Sequence, residues 1–357
     1  MSADTLAARF RRLIAATGPI TVQHFMGEAL AHYYATRDPL GVTGDFVTAP
    51  EVSQMFGEMI GAWLADVASR SGHSGRLHYV ELGPGRGTLA ADALRVLRRF
   101  GIDPEVHLVE GSPALRAVQA QRLGAVQWHD DLASVPDDAP LLLVANEFLD
   151  ALPVRQLVRT ANGWRERMVA LDGERFVCVA GERPMDAAVP AAWRDAAEGA
   201  IIETCPGAAA VMAEIGARLA AQGGAALVID YGYAVPGFGS SLQAVRGHAK
   251  VDPFVAPGSA DLTALVDFAA AAEAARGAGA RVLGLSDQGD FLRVLGIAAR
   301  AAALAKAAPD RGEEIAAALD RLTGAEQMGA LFKVLGLAGP GWPDGAGFVG
   351  MAPASAQ

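Results

Sequence analysis

Hydrophobic residues follow two different periods along the chain. Near the amino terminus, Leu6, Phe10 and Ile14 recur at helical spacing, and residues 1–75 are mainly helical in pattern. From about residue 77, short apolar runs alternate with helical segments such as 88–100, which is typical of parallel strands joined by crossover helices. The apolar runs are 77–82, 106–110, 126–128, 141–146 and 226–231. A doubly wound α/β sheet is therefore predicted.

Later segments extend this sheet and interrupt it. Two further apolar runs, 281–285 and 331–337, predict a seven-stranded sheet. A helical stretch at 291–322 and a region rich in proline and glycine at 235–257 are predicted to be insertions. Residues 154–180 alternate around Asn162-Gly163 and Asp172-Gly173, which predicts two hairpin turns. We expect three parts: a helical segment (1–75), a sheet core (76–235), and inserted loops and helices with the last strands (236–357).

The composition is that of a globular protein. The chain has 357 residues, 52% of them hydrophobic, which is enough to bury a large core and excludes disordered and fibrous architectures. A formal net charge of −10 argues against nucleic acid as a partner and is compatible with a basic ligand or peptide. No stretch reaches the ~18 consecutive apolar residues of a membrane span.

Cysteine and histidine spacing predicts neither a disulfide framework nor a metal centre. Cys178 and Cys205 form no CxxC pair, and the seven histidines include no paired metal spacing. A reducing, cytoplasmic location is the resulting expectation. Arg9, Arg11 and Arg12 could imitate a mitochondrial presequence, but the segment is short, poor in serine and leads directly into patterned sequence, so an ordinary amphipathic helix is favoured.

A glycine-rich run, Glu-Leu-Gly-Pro-Gly-Arg-Gly-Thr at 81–88, stands where a predicted strand ends and a helix begins. Glycines there allow a sharp turn and let a ligand approach the backbone at the helix amino terminus. A dinucleotide fingerprint needs its third glycine at position 88, which is Thr88. The GxGxG spacing after Glu81 suits a ligand without a pyrophosphate, such as S-adenosylmethionine. A turn without any ligand is the alternative. The candidate cofactor residues of this run are Glu81, Gly83, Pro84, Gly85 and Gly87.

Polar residues follow three other predicted strands. Glu110 ends the second strand, where doubly wound nucleotide sites hold the ribose hydroxyls. Asp130 and Asp131 follow the third strand and are candidates for the adenine amine, although capping the next segment explains them equally well. Asn146-Glu147 follows the fourth strand and should face the glycine loop across one crevice. A helix cap by Asn146, with Asp150 solvated, is the alternative there.

At these residues the chain resembles the MidA-like methyltransferase family, which includes the arginine methyltransferase of mitochondrial complex I assembly. The resemblance covers residues 18 to about 333, and its most distinctive block is 44–51 with 56–58. Further matching blocks are 18–20, 25–26, 81–88, 146–153, 230–232, 242–243, 247–248, 261–263, 266–268, 327–329 and 332–333. The resemblance implies a class I fold, S-adenosylmethionine as cofactor, and a segment with Gly44, Asp45, Thr48 and Glu51 lying over the cofactor pocket. Between His32 and Tyr33 the family usually has a few extra residues that are missing here.

The resemblance also implies methyl transfer to protein arginine. Methyl transfer from a sulfonium is an in-line displacement, so the protein mainly supplies alignment. Carboxylates should hold the planar guanidinium, and we assign this to Glu147 and Asp150, with Asp45 as a third candidate. His248 is a candidate for a substrate or proton role, against hydrogen bonding within its loop.

We expect a protein substrate, which could be a complex I subunit, and a homodimer is an open alternative to a monomer. Two other functions remain open: a methyltransferase for a small molecule or another side chain, and a non-catalytic assembly factor that keeps the cofactor pocket. The presence of Glu147 and Asp150 favours catalysis, because a protein that only binds the cofactor would not need carboxylates facing the methyl group. Mass spectrometry of partner proteins would separate an enzyme from a scaffold.

Overall fold

The fold was derived from a computed structural model that describes residues 5–36, 48–247 and 249–348. The helices are α1 Leu6–Thr17, α2 Val22–Thr36, α3 Ala49–Val52, α4 Gln54–Arg70, α5 Thr88–Arg99, α6 Pro113–Leu123, α7 Pro206–Gln222, α8 Phe268–Gly277, α9 Gln288–Val294, α10 Ile297–Ala307, α11 Gly312–Thr323 and α12 Met328–Leu331. The strands are β1 Ile20–Thr21, β2 His78–Leu82, β3 Glu105–Val109, β4 Gln127–His129, β5 Leu141–Asn146, β6 Arg155–Thr160, β7 Gly163–Asp172, β8 Arg175–Pro184, β9 Ile201–Thr204, β10 Gly224–Tyr233, β11 Gln243–Arg246, β12 Ala249–Val251, β13 Asp261–Thr263, β14 Val266–Asp267, β15 Arg281–Asp287 and β16 Phe332–Ala338.

The main sheet has the strand order β15-β16-β10-β5-β2-β3-β4, and β14 adds to the end of β10. Strands β10, β5, β2, β3 and β4 run parallel, whereas β16 is antiparallel to both of its neighbours. The chain first builds outward from β2 to β4 and then returns to β5 on the other side, so the order reverses between β2 and β5. The predicted doubly wound α/β fold is confirmed, with strand ends displaced by only one or two residues.

Both faces of this sheet are covered. Along β5, Leu142 and Val144 pack in the layer that contains α4, α5 and the late helices, whereas Leu141 and Leu143 pack in the layer with α7 and α8. All four side chains are fully buried. A strand that is buried on both faces needs apolar residues at every position, which explains the uninterrupted apolar runs in the sequence.

A second sheet holds the predicted hairpins. Strands β6, β7 and β8 are joined by turns at Asn162-Gly163 and Asp172-Gly173, as expected. Strand β1 pairs with β7, and the rings of Phe10 and Phe25 pack on Phe176 of β8. The amino-terminal segment is therefore anchored to the hairpins, and the boundaries proposed at residues 75 and 235 stay predictions.

The two predicted insertions have regular structure. The region rich in proline and glycine contributes β11 and β12, which form a small sheet with β13. The late helical stretch consists of α9, α10 and α11. Among the residues that the structure describes, no helix combines the length and the apolar character needed to cross a bilayer.

One buried carboxylate ties the late helices to the sheet core. Glu58 of α4 is 4% exposed and accepts hydrogen bonds from Arg95 of α5 (3.0 Å) and from Arg300 of α10 (2.6 and 2.8 Å). Burial on its own would raise the pKa of Glu58, but the two guanidinium groups hold that pKa below its usual value. Three helices that are distant in sequence thus share one charge.

Replacing this carboxylate should loosen the attachment of the late helices. For Glu58→Gln we expect the free energy of unfolding to fall by about 2 kcal/mol, less than for a fully buried ion pair because both arginines keep contact with water. The matched control is Glu314→Gln on α11, which loses only an exposed pair with Arg311 and should unfold like the wild type. Urea unfolding measures the stability of both variants. Equal unfolding midpoints for Glu58→Gln and the wild type would show that Glu58 does not stabilise the attachment of the late helices.

Candidate functional site

A crevice opens at the carboxyl ends of β2, β3 and β5, where the strand order reverses, and its empty space is about 950 Å³ when the part open to solvent is included. This is the place where ligands bind in open parallel sheets. Its lining residues are Tyr34, Thr48, Pro50, Glu51, Glu81, Gly83, Pro84, Gly85, Arg86, Thr88, Leu89, Glu110, Leu115, Asn146, Glu147, Phe148, Ala151 and Leu152. The glycine loop and Asn146-Glu147 therefore face one another across one space, as the sequence predicted.

The glycine loop requires a backbone that other residues rarely adopt. Gly83, Gly85 and Gly87 have φ of 62°, 54° and 73°, all in the left-handed region. A Cβ atom on Gly83 would lie 2.9 Å from the ring of Phe148, which also lines the crevice, so a side chain there would force that ring to move. Gly87 stands just behind the loop, outside the lining, and directly precedes α5. The first turn of α5 consequently presents its amino-terminal end near the crevice.

The amino-terminal segment contributes one rim of the crevice. Thr48, Pro50 and Glu51 line it from α3 and the residue before that helix. Glu51 accepts a hydrogen bond from the hydroxyl of Thr88, which also accepts one from Arg122. These contacts link α3 to the first residue of α5 and to α6.

Helix α2 runs without interruption through His32-Tyr33, where the family resemblance leads one to expect extra residues. Tyr33 is fully buried, and Tyr34 lines the crevice while its hydroxyl donates to Oδ2 of Asp261 (3.4 Å). The predicted residues that fall outside the described ranges are Gly44, Asp45 and His248, and their roles stay predictions.

Glu81 is a buried acid at the base of the crevice. It is 3% exposed, and Oε2 accepts a hydrogen bond of 2.7 Å from the hydroxyl of Tyr79. Burial raises the pKa of Glu81 to about 8, although the Tyr79 hydroxyl opposes the shift. The carboxyl is thus mostly protonated at neutral pH until a cation enters the crevice, which would favour its ionised form.

Glu110 keeps its predicted place and is held by a residue that the sequence analysis missed. Its Oε1 accepts from the backbone N–H of Ser112 (2.7 Å). The side chain of Gln119, fully buried on α6, donates to the carbonyl of Gly85 (2.7 Å) and to Oε2 of Glu110 (3.4 Å), and it accepts from Trp128 (2.8 Å). One amide therefore joins the glycine loop to the ends of β3 and β4. A single glutamine on a helix that carries both polar and apolar residues gives no sequence signal for this role.

Asp130 and Asp131 do not reach the crevice. Asp130 is 88% exposed in its side chain and pairs with Arg116 (2.6 Å). Asp131 accepts from the backbone N–H of Ser134 (2.9 Å) and caps the short helical turn that follows. The predicted contact with adenine is not supported for either residue, and for Asp131 capping is the observed role.

Asn146 and Glu147 form the opposite wall. Glu147 has φ of 52°, the one positive φ recorded for a described residue other than glycine. Such a strained backbone persists where surrounding contacts impose it, often at functional sites. Oε1 of Glu147 accepts from the backbone N–H of Ala49 and from Nδ2 of Asn146, both at 3.1 Å. Burial, partly offset by the N–H of Ala49, raises the pKa of Glu147 to about 7.

Asn146 offers an unused acceptor. The residue is 8% exposed, and its Oδ1 is buried without a hydrogen-bond partner in the described structure. Buried polar atoms are nearly always satisfied, so an orphan acceptor on a ligand crevice indicates a donor from the ligand. A positively charged or amide-bearing group would supply that donor.

Asp150 lies behind the wall rather than on it. The residue is 6% exposed, and its carboxylate is hydrogen-bonded by the hydroxyl of Tyr231. Burial raises the pKa of Asp150 to about 6. The predicted direct contact with a substrate guanidinium is therefore not supported, because the turn after β5 directs this side chain into the protein.

Asp230 holds that turn in place. This fully buried carboxylate accepts from the backbone N–H groups of Leu149 (3.0 Å), Asp150 (3.2 Å) and Tyr231 (2.9 Å). Burial and the nearby carboxylates of Asp150 and Glu147 raise its pKa. Sequence reasoning treated Asp230 only as part of a family block. An acid within an otherwise apolar strand is the available signal.

Comparison with known proteins decides the family. Residues 59–286 match the model of a family described as S-adenosyl-L-methionine-dependent methyltransferases. This chain belongs to that family. The matched part of the methyltransferase includes the glycine loop, Glu110 and the turn after β5.

Relatives resemble the methyltransferase over most of its length. The mitochondrial protein arginine methyltransferase NDUFAF7 of Mus musculus is 37% identical, over 91% of this chain and 82% of its own. The homologue from Drosophila melanogaster is 38% identical, over 93% and 84%. A structure from Burkholderia thailandensis, bound to S-adenosyl-homocysteine, has a TM-score of 0.82 at 34% identity and covers 98% of this chain and 94% of its own. The predicted family, class I fold and cofactor are confirmed.

The predicted cytoplasmic location is contradicted by the names of the relatives from Mus musculus and Drosophila melanogaster, because both proteins are called mitochondrial. The prediction rested on cysteine spacing. That spacing separates reducing from oxidising compartments and says nothing about organelles.

The crevice fits S-adenosylmethionine on three observations. Gly83 has no room for a Cβ beside the ring of Phe148, so bare backbone lines the crevice there and a ligand can approach it closely. Asn146 presents an unpaired acceptor, which suits the ammonium group of the cofactor. Glu110 lines the crevice at the end of β3, where a carboxylate suits ribose hydroxyls. The assignment of these individual contacts stays a prediction.

Filling the space at Gly83 should weaken cofactor binding. For Gly83→Ala we expect the affinity for S-adenosylmethionine to fall about tenfold or more, since one extra carbon in a packed site costs about 1–3 kcal/mol. The matched control is Gly101→Ala, which introduces a side chain at a similar φ (76°) into open space after α5. Titration calorimetry should show that the control binds S-adenosylmethionine with unchanged affinity. Equal affinities for the two variants would contradict a cofactor contact at Gly83.

The buried acid at Glu81 should make the free protein less stable as pH rises. The unfolded chain loses this proton near pH 4.3, whereas the folded protein keeps it to about pH 8, so the free energy of unfolding should fall by about 1.4 kcal/mol per pH unit between these values. Glu81→Gln keeps an acceptor for Tyr79 and should lack this component of the slope. Urea unfolding at pH 5 and pH 8 measures the slope. Identical slopes for variant and wild type would show that Glu81 ionises normally.

Proposed function

We propose that this methyltransferase methylates an arginine side chain of a partner protein. The observation that carries the proposal is the carboxylate of Glu147, which is held on the crevice wall by a left-handed backbone and by two hydrogen bonds to Oε1. The described structure gives Oε2 no hydrogen-bond partner. The curated relatives named above are protein arginine methyltransferases, which supports arginine as the acceptor.

The geometry suits a planar cation. A guanidinium offers a fork of N–H groups that matches a carboxylate. With Oε1 fixed by Ala49 and Asn146, the orientation of Glu147 is set before an acceptor arrives, which favours alignment for an in-line reaction. The bound cofactor supplies an electrophilic methyl group. Tyr34 stands on the same crevice and adds an aromatic edge for the acceptor to pack against.

Glu147 is also suited to receive a proton. A guanidinium must lose one proton in the course of methylation, and its own pKa exceeds ~12. An acid whose pKa is about 7 can hold a proton at neutral pH and release it to water. Arginine bound against Glu147 would favour the ionised form, so the carboxylate first orients the acceptor and then accepts the proton that the methylated nitrogen loses, which leaves the methylated guanidinium with one positive charge.

Asp150 supports this site from behind. The carboxylate of Asp150 accepts a hydrogen bond from Tyr231, and the backbone N–H of Asp150 donates to the carboxylate of Asp230. These two bonds fix the turn that carries Glu147. The carboxylate of Asp150 also raises the pKa of Glu147, after the larger effect of burial. We therefore assign Asp150 a positioning role.

Two narrower predictions accompany the proposal. A subunit of respiratory complex I is one candidate acceptor, from the family resemblance, and a homodimer is one candidate assembly. Both stay predictions. Incubation with isotopically labelled S-adenosylmethionine and candidate proteins, followed by mass spectrometry, tests the acceptor. Methyl groups on a different side chain or on a small molecule, or no transfer at all, would overturn arginine methylation.

Removing the charge of Glu147 should separate binding from transfer. For Glu147→Gln we expect turnover to fall about 100-fold, the usual effect of losing one preorganised electrostatic contact, while the affinity for S-adenosylmethionine stays within about threefold. Glutamine keeps an acceptor for Ala49, so the turn should persist. The matched control is Glu174→Gln on the turn between β7 and β8, which is 85% exposed in its side chain and should leave turnover unchanged. Equal turnover for Glu147→Gln and the wild type would remove this carboxylate from the reaction.

A further inference from the structure

Three histidines form a row across the main sheet. His78 of β2 and His107 of β3 are fully buried, and His129 of β4 is partly buried. Nε2 of His129 lies 3.0 Å from Nδ1 of His107, whose Nε2 lies 3.0 Å from Nδ1 of His78. Nε2 of His78 in turn lies 2.9 Å from Oδ1 of Asp138. The methyl-transfer proposal uses none of these groups.

A carboxylate completes a triangle with two of the imidazoles. Oε2 of Glu105 lies 3.8 Å from Nδ1 of His78 and 4.0 Å from Nε2 of His107, while the two nitrogens are 3.0 Å apart. These three distances define a central point that is about 2.1 Å from each atom, which is the length of Zn–N and Zn–O bonds. Glu105 is 43% exposed in its side chain, so this corner of the triangle borders solvent.

We propose that His78, Glu105 and His107 bind a divalent transition-metal ion of the zinc class at the amino ends of β2 and β3. Two imidazoles and one carboxylate are a ligand set that zinc accepts, with a fourth position for water on the exposed side of Glu105. The site lies at the end of β2 opposite the crevice, because β2 begins at His78 and ends beside the glycine loop.

The outer neighbours of the ligands support this assignment. A histidine that binds a metal usually donates its other ring N–H to a carboxylate or another acceptor, which fixes the tautomer and the ring orientation. Asp138 takes this position on His78, and His129 takes it on His107. The outer nitrogens, Nε2 of His78 and Nδ1 of His107, then both donate a proton. The two inner nitrogens, Nδ1 of His78 and Nε2 of His107, are left with lone pairs that are directed toward the same point.

The alternative to a metal ion at that point is a proton shared in a hydrogen bond between the two imidazoles. Without a metal, the contact of 3.0 Å between Nδ1 of His78 and Nε2 of His107 is a hydrogen bond with a single proton, and the row becomes a chain of hydrogen-bonded imidazoles ending on Asp138. Arg76 opposes a cation, since it pairs with Glu105 (3.4 Å) and Asp138 (2.9 Å) from the solvent side, and Arg218 adds positive charge near His107. The carboxylates of Glu105 and Asp138 face these cations.

The sequence shows no metal motif here because the ligands come from two strands. Glu105 and His107 lie two residues apart on β3, and His78 is 29 residues before His107 and reaches them only through the pairing of β2 with β3. The bound ion would connect the two strands, so its effect should appear in stability and metal content.

The test uses the full chain, stripped with a chelator and then titrated with Zn²⁺ by calorimetry. We expect one ion per chain and a higher melting temperature in the presence of Zn²⁺. Glu105→Gln removes a ligand on the partly exposed edge and should abolish the high-affinity step. Asp138→Asn should weaken binding by roughly 10- to 100-fold, the usual effect of losing an outer partner.

The matched control is Asp103→Asn, which removes an equal charge two residues from Glu105 but only loses an exposed pair with Arg98. Its Zn²⁺ affinity should equal that of the wild type. Visible absorption of bound Co²⁺ should show a tetrahedral spectrum in the wild type and the control and lose it in Glu105→Gln. The proposal is overturned if Zn²⁺ does not bind, or if Glu105→Gln binds it as tightly as the wild type.

Discussion

The parallel pairing of β2 with β5 is the constraint on which this protein depends. After β2 the chain continues toward β3 and β4, whereas after β5 it returns to β10 on the opposite side of the sheet. No connecting segment therefore covers the gap between the carboxyl ends of β2 and β5. The glycine loop, the strained turn at Glu147 and the rim from α3 all surround that gap. Their positions follow from strand order, and the chemistry of the crevice follows from which side chains the two strand ends carry.

A second constraint is electrostatic. Glu147, Asp150 and Asp230 are three carboxyls at one edge of the sheet, and burial raises the pKa of each. Asp230 is stabilised by three backbone N–H groups, and Asp150 by Tyr231. Glu147 lines the crevice, and both of its recorded side-chain hydrogen bonds are on Oε1. The edge is thus arranged for a cation, and both a sulfonium-bearing cofactor and a guanidinium acceptor would supply one.

The sequence predicted those parts of the site that local pattern determines. Strand ends, the glycine loop and the acid after each strand are visible because period, turn chemistry and strand length are local properties. The direction of a side chain after a turn is not local, which explains why Asp150 points inward and Asp131 caps its own segment. Gln119 and the histidine row were missed for a related reason: each gains its role from contacts between strands or helices that are distant in sequence.

The position of β16 has a consequence for how the chain folds. Although it is the last strand in the described part of the chain, β16 is inserted between β10 and β15 in the interior of the sheet. Strands β10 and β15 therefore have no direct pairing, and the sheet stays divided until residues 332–338 have been synthesised. Contacts of such high sequence separation slow folding and leave strand edges exposed in the meantime. A newly made chain that is truncated before residue 332 should consequently depend on chaperones rather than fold into a smaller version of the enzyme.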